Sequence, residues 1–130
     1  MVLTKSVHTQ IEQQDGLRFL VARFRGRGLP ASCYDVWLPA LGPSETLLRR
    51  FQHDDITWNA FSKQYVAELF TDGSIDSRNE TIKNHGQKFL LRLLKTLAQS
   101  NNVTVMCHCD EDEQHCHRHV LRKLLLSSRV

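Results

Sequence analysis

The chain has 130 residues, 41% hydrophobic and 24% charged, which describes one ordinary compact domain spanning 1–130 and excludes wholesale disorder. Seventeen Lys and Arg against 14 Asp and Glu leave a net charge of +3, too little to argue for nucleic-acid binding by itself. No apolar run approaches the ~18 residues of a membrane span, and Met1 to Gln14 carries no signal-peptide core, so the expectation is a cytoplasmic protein with no membrane partner.

Val2 to Thr9 reads as an extended edge segment, and Asp15-Gly16 as a turn after it. Leu17 to Phe24 reads as a strand whose continuously apolar middle, Phe19 to Ala22, suits burial on both faces. Arg25 to Ser32 is a loop punctuated by glycine and proline, and Tyr34 to Pro39 is a short strand or single turn. Ser44 is the expected N-cap of a helix reaching about Phe51, with Glu45 in its first turn. Thr57 to Phe70 is a helix with Trp58, Phe61, Tyr65 and Leu69 on one face, stopped by Asp72-Gly73-Ser74. Residues 74–86 read as polar and irregular. Gln87 to Gln99 is a second helix, with Phe89, Leu90, Leu93, Leu94 and Leu97 as its apolar face. Val103 to Cys107 is a buried strand, and Cys116 to about Leu126 a last helix with Val120, Leu121, Leu124 and Leu125 facing inward. The order predicts an α/β domain, a small mostly parallel sheet flanked by helices.

Three of the four cysteines, Cys107, Cys109 and Cys116, fall within ten residues. A disulfide framework spreads its cysteines to close longer loops, so these read as reduced thiols that are buried, metal-binding or reactive. Cys33 stands alone and reads as a small hydrophobe. The segment Cys107-His108-Cys109 to His115-Cys116-His117-Arg118-His119 lies where a buried strand ends and a helix begins, the place where open α/β sheets bind ligands.

Residues two apart on a strand share a face, so Cys107 and Cys109 can point together, with Cys116 and His117 closing from the helix start. Three sulfurs and an imidazole make a tetrahedral zinc set, although the spacing is not that of a finger or ribbon. Alternatively Cys116 is a nucleophile, its pKa lowered by His115, His117 and Arg118, with His117 as acid or base. Cys116 and Arg122 also share the bare spacing of a cysteine-phosphatase loop, but the intervening residues hold no glycine to wrap a phosphate. A third reading is structural: Cys107 in the core and Asp110 to Glu113 as a solvated loop.

Arg18, Arg23, Arg25 and Arg27 meet no acidic residue between Asp15 and Asp35, and Arg25 and Arg27 flank a glycine where guanidinium can fork around an anion. The alternative is that they pair with the acidic 110–113 loop.

Taken together these segments resemble the YeaO-like family, domain of unknown function 488. Residues Leu20 to Gly28 are similar to its L-V-D-R-x-W-P-R-G, with Ala22, Arg25 and Gly26 departing from it. Asp35, Trp37, Leu41, Pro43 and Ser44 match D-x-W-x-x-x-L-x-P-S; Phe51 to Asp54 matches F-x-H-D. Trp58, Phe61, Tyr65, Glu68 and Leu69 match W-x-x-F-x-x-x-Y-x-x-E-L, and His115 and His117 with Val120-Leu121 match H-N-H…V-L, with the cysteines at 107, 109 and 116 departing from the family's residues. The resemblance implies an α/β fold over roughly 17–126 and no established reaction. Its matching polar positions suggest a ligand site of Arg23, Arg27, Asp35 and His53, which Arg118, His115 and His117 join from the last helix.

Three functions compete at this level. The first is binding of, or catalysis on, a small anionic molecule such as a nucleotide or phosphate ester, with Cys116 and His117 as the chemical groups. The second is a zinc-type structural or regulatory module with Cys107, Cys109, Cys116 and His117 as ligands. The third, a nucleic-acid or protein interaction domain, ranks last because the 110–113 acidic run interrupts any basic face.

Overall fold

The computed structural model describes residues 1–71 and 84–130, the side chains of 84 and 85 excepted. The helix stop read at Asp72-Gly73-Ser74, and most of the polar stretch after it, lie outside the described residues.

Four strands, β1 (Val2–Ser6), β2 (Leu17–Leu20), β3 (Val36–Trp37) and β4 (Val103–Cys107), form one all-parallel sheet in the order β1-β4-β2-β3. β4 lies between β1 and β2 and is buried along its whole length, which explains its unbroken β-branched and apolar sequence. Val105 sits opposite Thr4 on one side and Phe19 on the other.

β2 stops at Leu20, short of the expected Phe24. Val21 N–H still bonds the Met106 carbonyl at 2.9 Å, but β4 ends one residue later, so the chain beyond has no ladder to join. β3 is only two residues long.

Helices α1 (Glu45–Gln52), α2 (Trp58–Phe70), α3 (Asn84–Leu97) and α4 (His117–Leu125) complete the fold. Ser44 Oγ accepts from Leu47 N–H, and Thr57 Oγ1 from Ala60 N–H, so α1 and α2 begin at capped residues. The helices pack with Val103, Val105, Phe19 and Val21 in a core centred on Phe61, Tyr65, Leu91, Leu94 and Leu121. Leu20, Ala22, Met106 and Cys107 belong to a second apolar cluster with Val7 and Leu29, supplied by loops rather than helices.

A buried Lys5–Asp15 ion pair, Nζ to Oδ2 3.0 Å, fixes the β1–β2 connection, and Thr104 Oγ1 donates to the Asp15 carbonyl at 2.7 Å. Gly16 ends that connection at φ 63°, with any Cβ falling 2.1 Å from the Asn102 carbonyl oxygen, so glycine is required there.

The inward face of α3 differs from the expected one. Leu91 and Leu94 are fully buried, whereas Phe89 and Leu93 are exposed. Leucines surround this helix on more than one side, so spacing alone could not choose between neighbouring stripes; packing against residues 39–41 and α2 did.

Candidate metal centre and pocket

β4 delivers Cys107 to the carboxyl edge of the sheet, and the chain returns through an acidic loop to begin α4 at Cys116, its N-cap. That loop is held by Arg118. Its Nη1 donates to Thr4 Oγ1 at 3.1 Å and its Nη2 to the carbonyls of Asp110 and Glu111 at 3.2 and 3.1 Å. The Glu111 carboxylate in turn accepts from Ser6 N–H at 2.5 Å. The strand end and the helix start are thereby brought together.

The Cys107 and Cys116 sulfurs and a His117 ring nitrogen all lie within 4.8 Å of one another, and the three residues are buried. Cys107 Sγ is 3.8 Å from His117 Nδ1, while His117 Nε2 lies 2.8 Å from the Val21 carbonyl oxygen. With Nε2–H donating to that carbonyl, Nδ1 is aimed at the sulfurs. Metal-ligating histidines are oriented in this way by a second hydrogen bond. The Tyr65 ring meets His117 edge-on at 5.5 Å, and its hydroxyl donates to the Leu41 carbonyl at 2.5 Å. Cys109, expected as a fourth ligand, is half-buried and lines the adjoining cavity, but it is not in the group of three donor residues. All four cysteines are free thiols.

Hydrogen bonds from the Cys109 and Cys116 thiols, with the His117 charge, hold the Cys107 thiol well below its ordinary pKa despite burial. The Cys107 sulfur pushes Cys109 up to about 11 and Cys116 higher still. Burial works against a charged His117, but the Cys107 charge and the Val21 hydrogen bond prevail and raise its pKa. Burial and the neighbouring sulfurs raise the Tyr65 phenol. The thiols and the imidazole thus bias one another's protonation, with Cys107 the most acidic of the three sulfurs.

The sulfurs open into a pocket of about 270 Å³ between the ends of β2 and β4, α1 and the start of α4. Cys107, Cys109, Cys116 and His117 line it, and so does Arg23, which follows β2. The early arginine segment and the late thiol–imidazole segment thus share one cavity, lined from the early segment by Ala22, Phe24 and, alone among its arginines, Arg23. That side chain is buried, with Nε donating to the Pro43 carbonyl and Nη2 to the Gly42 carbonyl, both at 3.0 Å.

His115 lines the cavity as well, whereas Arg27, Asp35, His53 and Arg118 do not. Arg27 is exposed on the loop after β2. Asp35 pairs with Arg18, Oδ1 to Nη2 3.0 Å, and that side-chain hydrogen bond holds its pKa below 3.8. His53 is the exposed C-cap of α1, and Arg118 braces the acidic loop. Arg25 does not pair with the 110–113 carboxylates; it donates to the Tyr34 hydroxyl at 2.5 Å and the Leu29 carbonyl at 2.7 Å.

Residues the sequence reading left without a role complete the pocket. Phe24, Leu48, Phe51, Gln52 and Phe61 form walls and lip, and His108 sits at the edge with Nε2 3.1 Å from the Phe24 carbonyl. Phe61 carried a helical-face signal that reads equally as core, and the decisive Val21 carbonyl belongs to the backbone, which no side-chain pattern reveals.

A family profile described as the active DUF488-N3 subclade, DUF488-N3a, matches residues 2–129. The chain belongs to the DUF488-N3a family. It is also 36% identical over 67 residues to a protein of Escherichia coli (strain K12) described as uncharacterized protein YeaO, across 50% of this chain and 58% of that protein. The matched region thus spans less than two-thirds of that relative's length. No solved structure matches this DUF488-N3a chain. Among its described residues no helix is long and apolar enough to cross a membrane.

Proposed function

We propose that this DUF488-N3a protein binds a zinc-type metal ion through Cys107, Cys116 and His117, and presents it to a small molecule in the adjoining pocket. The observation that carries the reading is the convergence of those three donor atoms within 4.8 Å, with the imidazole oriented by a backbone carbonyl. Thiolate and imidazole ligands favour zinc over magnesium or calcium. Three protein ligands are the number at which a zinc site keeps a position for water or substrate, whereas Cys109, half-buried beside the others, would close the shell. An ion held there supplies Lewis acidity or an activated water. The description of the matched subclade as active supports catalysis. Side-by-side thiols fit a reducing, cytoplasmic setting.

An anionic ligand draws less support. Of the arginines expected to hold it, only Arg23 reaches the pocket, where its guanidinium serves two carbonyls, and the other expected residues that line it are the imidazoles of His115 and His117.

The test is metal analysis by mass spectrometry of protein purified without an affinity tag. Wild type and Cys33→Ser are expected to carry about one zinc per chain, and Cys116→Ser less than a tenth of that. Metal-free wild type, or a Cys116→Ser variant that keeps its zinc, refutes the proposal.

A second reading is favoured by the 3.8 Å contact between Cys107 Sγ and His117 Nδ1. It makes Cys107, rather than Cys116, a nucleophile with His117 as its base. Metal-free protein whose alkylation by iodoacetamide depends on His117 would support it; unreactive cysteines would remove it.

A further inference from the structure

We propose that the pocket takes an uncharged aromatic or heteroaromatic ring bearing one polar group, with the ring against the phenylalanines and the polar group towards the sulfurs. The inference rests on the reading of Cys107, Cys116 and His117 as the floor of a working site.

The walls come from three separate elements. Phe24 follows β2 and is 42% exposed at the mouth, a large apolar surface left in water beside the cavity. Phe51 comes from α1 and Phe61 from α2, their ring centroids 4.7 Å apart. Trp58 backs this wall, stacked on Phe61 at 5.4 Å and on His115 of the rim at 4.9 Å. A wall of interlocked rings is held in place before any ligand arrives, which lowers the ordering cost of binding.

Fixed charge is sparse: among the described residues no lysine and no carboxylate lines the cavity, Arg23 is its one Lys or Arg, and His108, His115 and His117 are its imidazoles. Gln52, at the last turn of α1, lines the lip with a neutral amide that has no hydrogen-bond partner among the described residues. It can donate to or accept from a substituent at the ring edge. The volume of about 270 Å³ lies just under the range of about 300–1,000 Å³ typical of ligand pockets, which suits one ring or a fused pair rather than a nucleotide.

The test is a titration of the full chain, followed by backbone amide NMR shifts, with phenol, cyclohexanol and inorganic phosphate. Phenol is expected to bind saturably, moving the amides of Phe24, Gln52 and His115, and at least threefold more tightly than cyclohexanol. Phosphate is expected to move none of them. Phe24→Ala should weaken phenol at least fivefold, and Gln52→Leu at least twofold, with zinc content unchanged in both. Phosphate moving those amides, cyclohexanol matching phenol, or phenol binding indifferent to both substitutions overturns the inference. Zinc measured on the same samples separates the two claims. Ring binding without zinc sinks the metal proposal alone, and full zinc without ring binding sinks this inference alone.

Discussion

Replacing Tyr65 with Phe removes one oxygen from the middle of the molecule and leaves the ring contact with His117 in place. The hydroxyl donates to the Leu41 carbonyl at 2.5 Å, and both residues are 0% exposed, so water cannot take over the bond. A buried acceptor that loses its donor costs about 1–3 kcal/mol, and complete burial argues for the middle of that range or above. Two kcal/mol corresponds to roughly 6–10 °C in melting temperature, at about 3–5 °C per kcal/mol for a chain of this size. Because Leu41 precedes the Gly42 and Pro43 carbonyls that Arg23 holds, the same change should loosen the pocket wall. Thermal denaturation by circular dichroism at fixed zinc concentration reads the first effect. A melting temperature within 1 °C of wild type would refute the argument that this hydroxyl ties α2 to the segment before α1.

Two further substitutions probe the frame around the site. Asp35→Asn should lower stability by no more than about 1 kcal/mol at neutral pH, the range of exposed pairs. Because the folded Asp35 pKa is depressed, its contribution is present above 3.8 and is lost as the pH falls through the lower folded value. The gap between variant and wild type in chemical denaturation should therefore close in acid; a gap that widens there contradicts the Arg18–Asp35 pairing. Gly42→Ala places a Cβ 2.4 Å from the Arg23 backbone nitrogen. It should cost at least the upper end of the about 1–3 kcal/mol usual for overpacking, measured by thermal melting; an unperturbed melt would show that this close approach does not constrain the pocket wall.

The architecture was readable because its signals are local. The β-branched run of β4, the Ser44 cap and the 58–61–65–69 stripe each follow from a few neighbouring residues, and all three agree with the fold. The Cys107 to His117 motif was likewise visible as candidate ligands, because its members lie close along the chain. The rest of the site was not. Arg23 and Arg27 look alike in sequence, yet one is buried against the Gly42 and Pro43 carbonyls and the other is exposed on a loop. Nothing within the segment distinguishes them, since the difference arises from a loop some twenty residues away. Arg118 likewise carries a ligand-like charge but spends it on the carbonyls of its own connecting loop. The face of α3 shows the same limit, because an excess of leucines leaves the choice of stripe to tertiary packing.

X-ray absorption at the zinc edge, on untagged protein, addresses the metal centre most directly. Two or three sulfur neighbours at about 2.3 Å and one imidazole nitrogen at about 2.0–2.1 Å are expected, with sulfur lost in Cys116→Ser. A shell of oxygen and nitrogen alone, or protein that retains no zinc, would contradict this expectation.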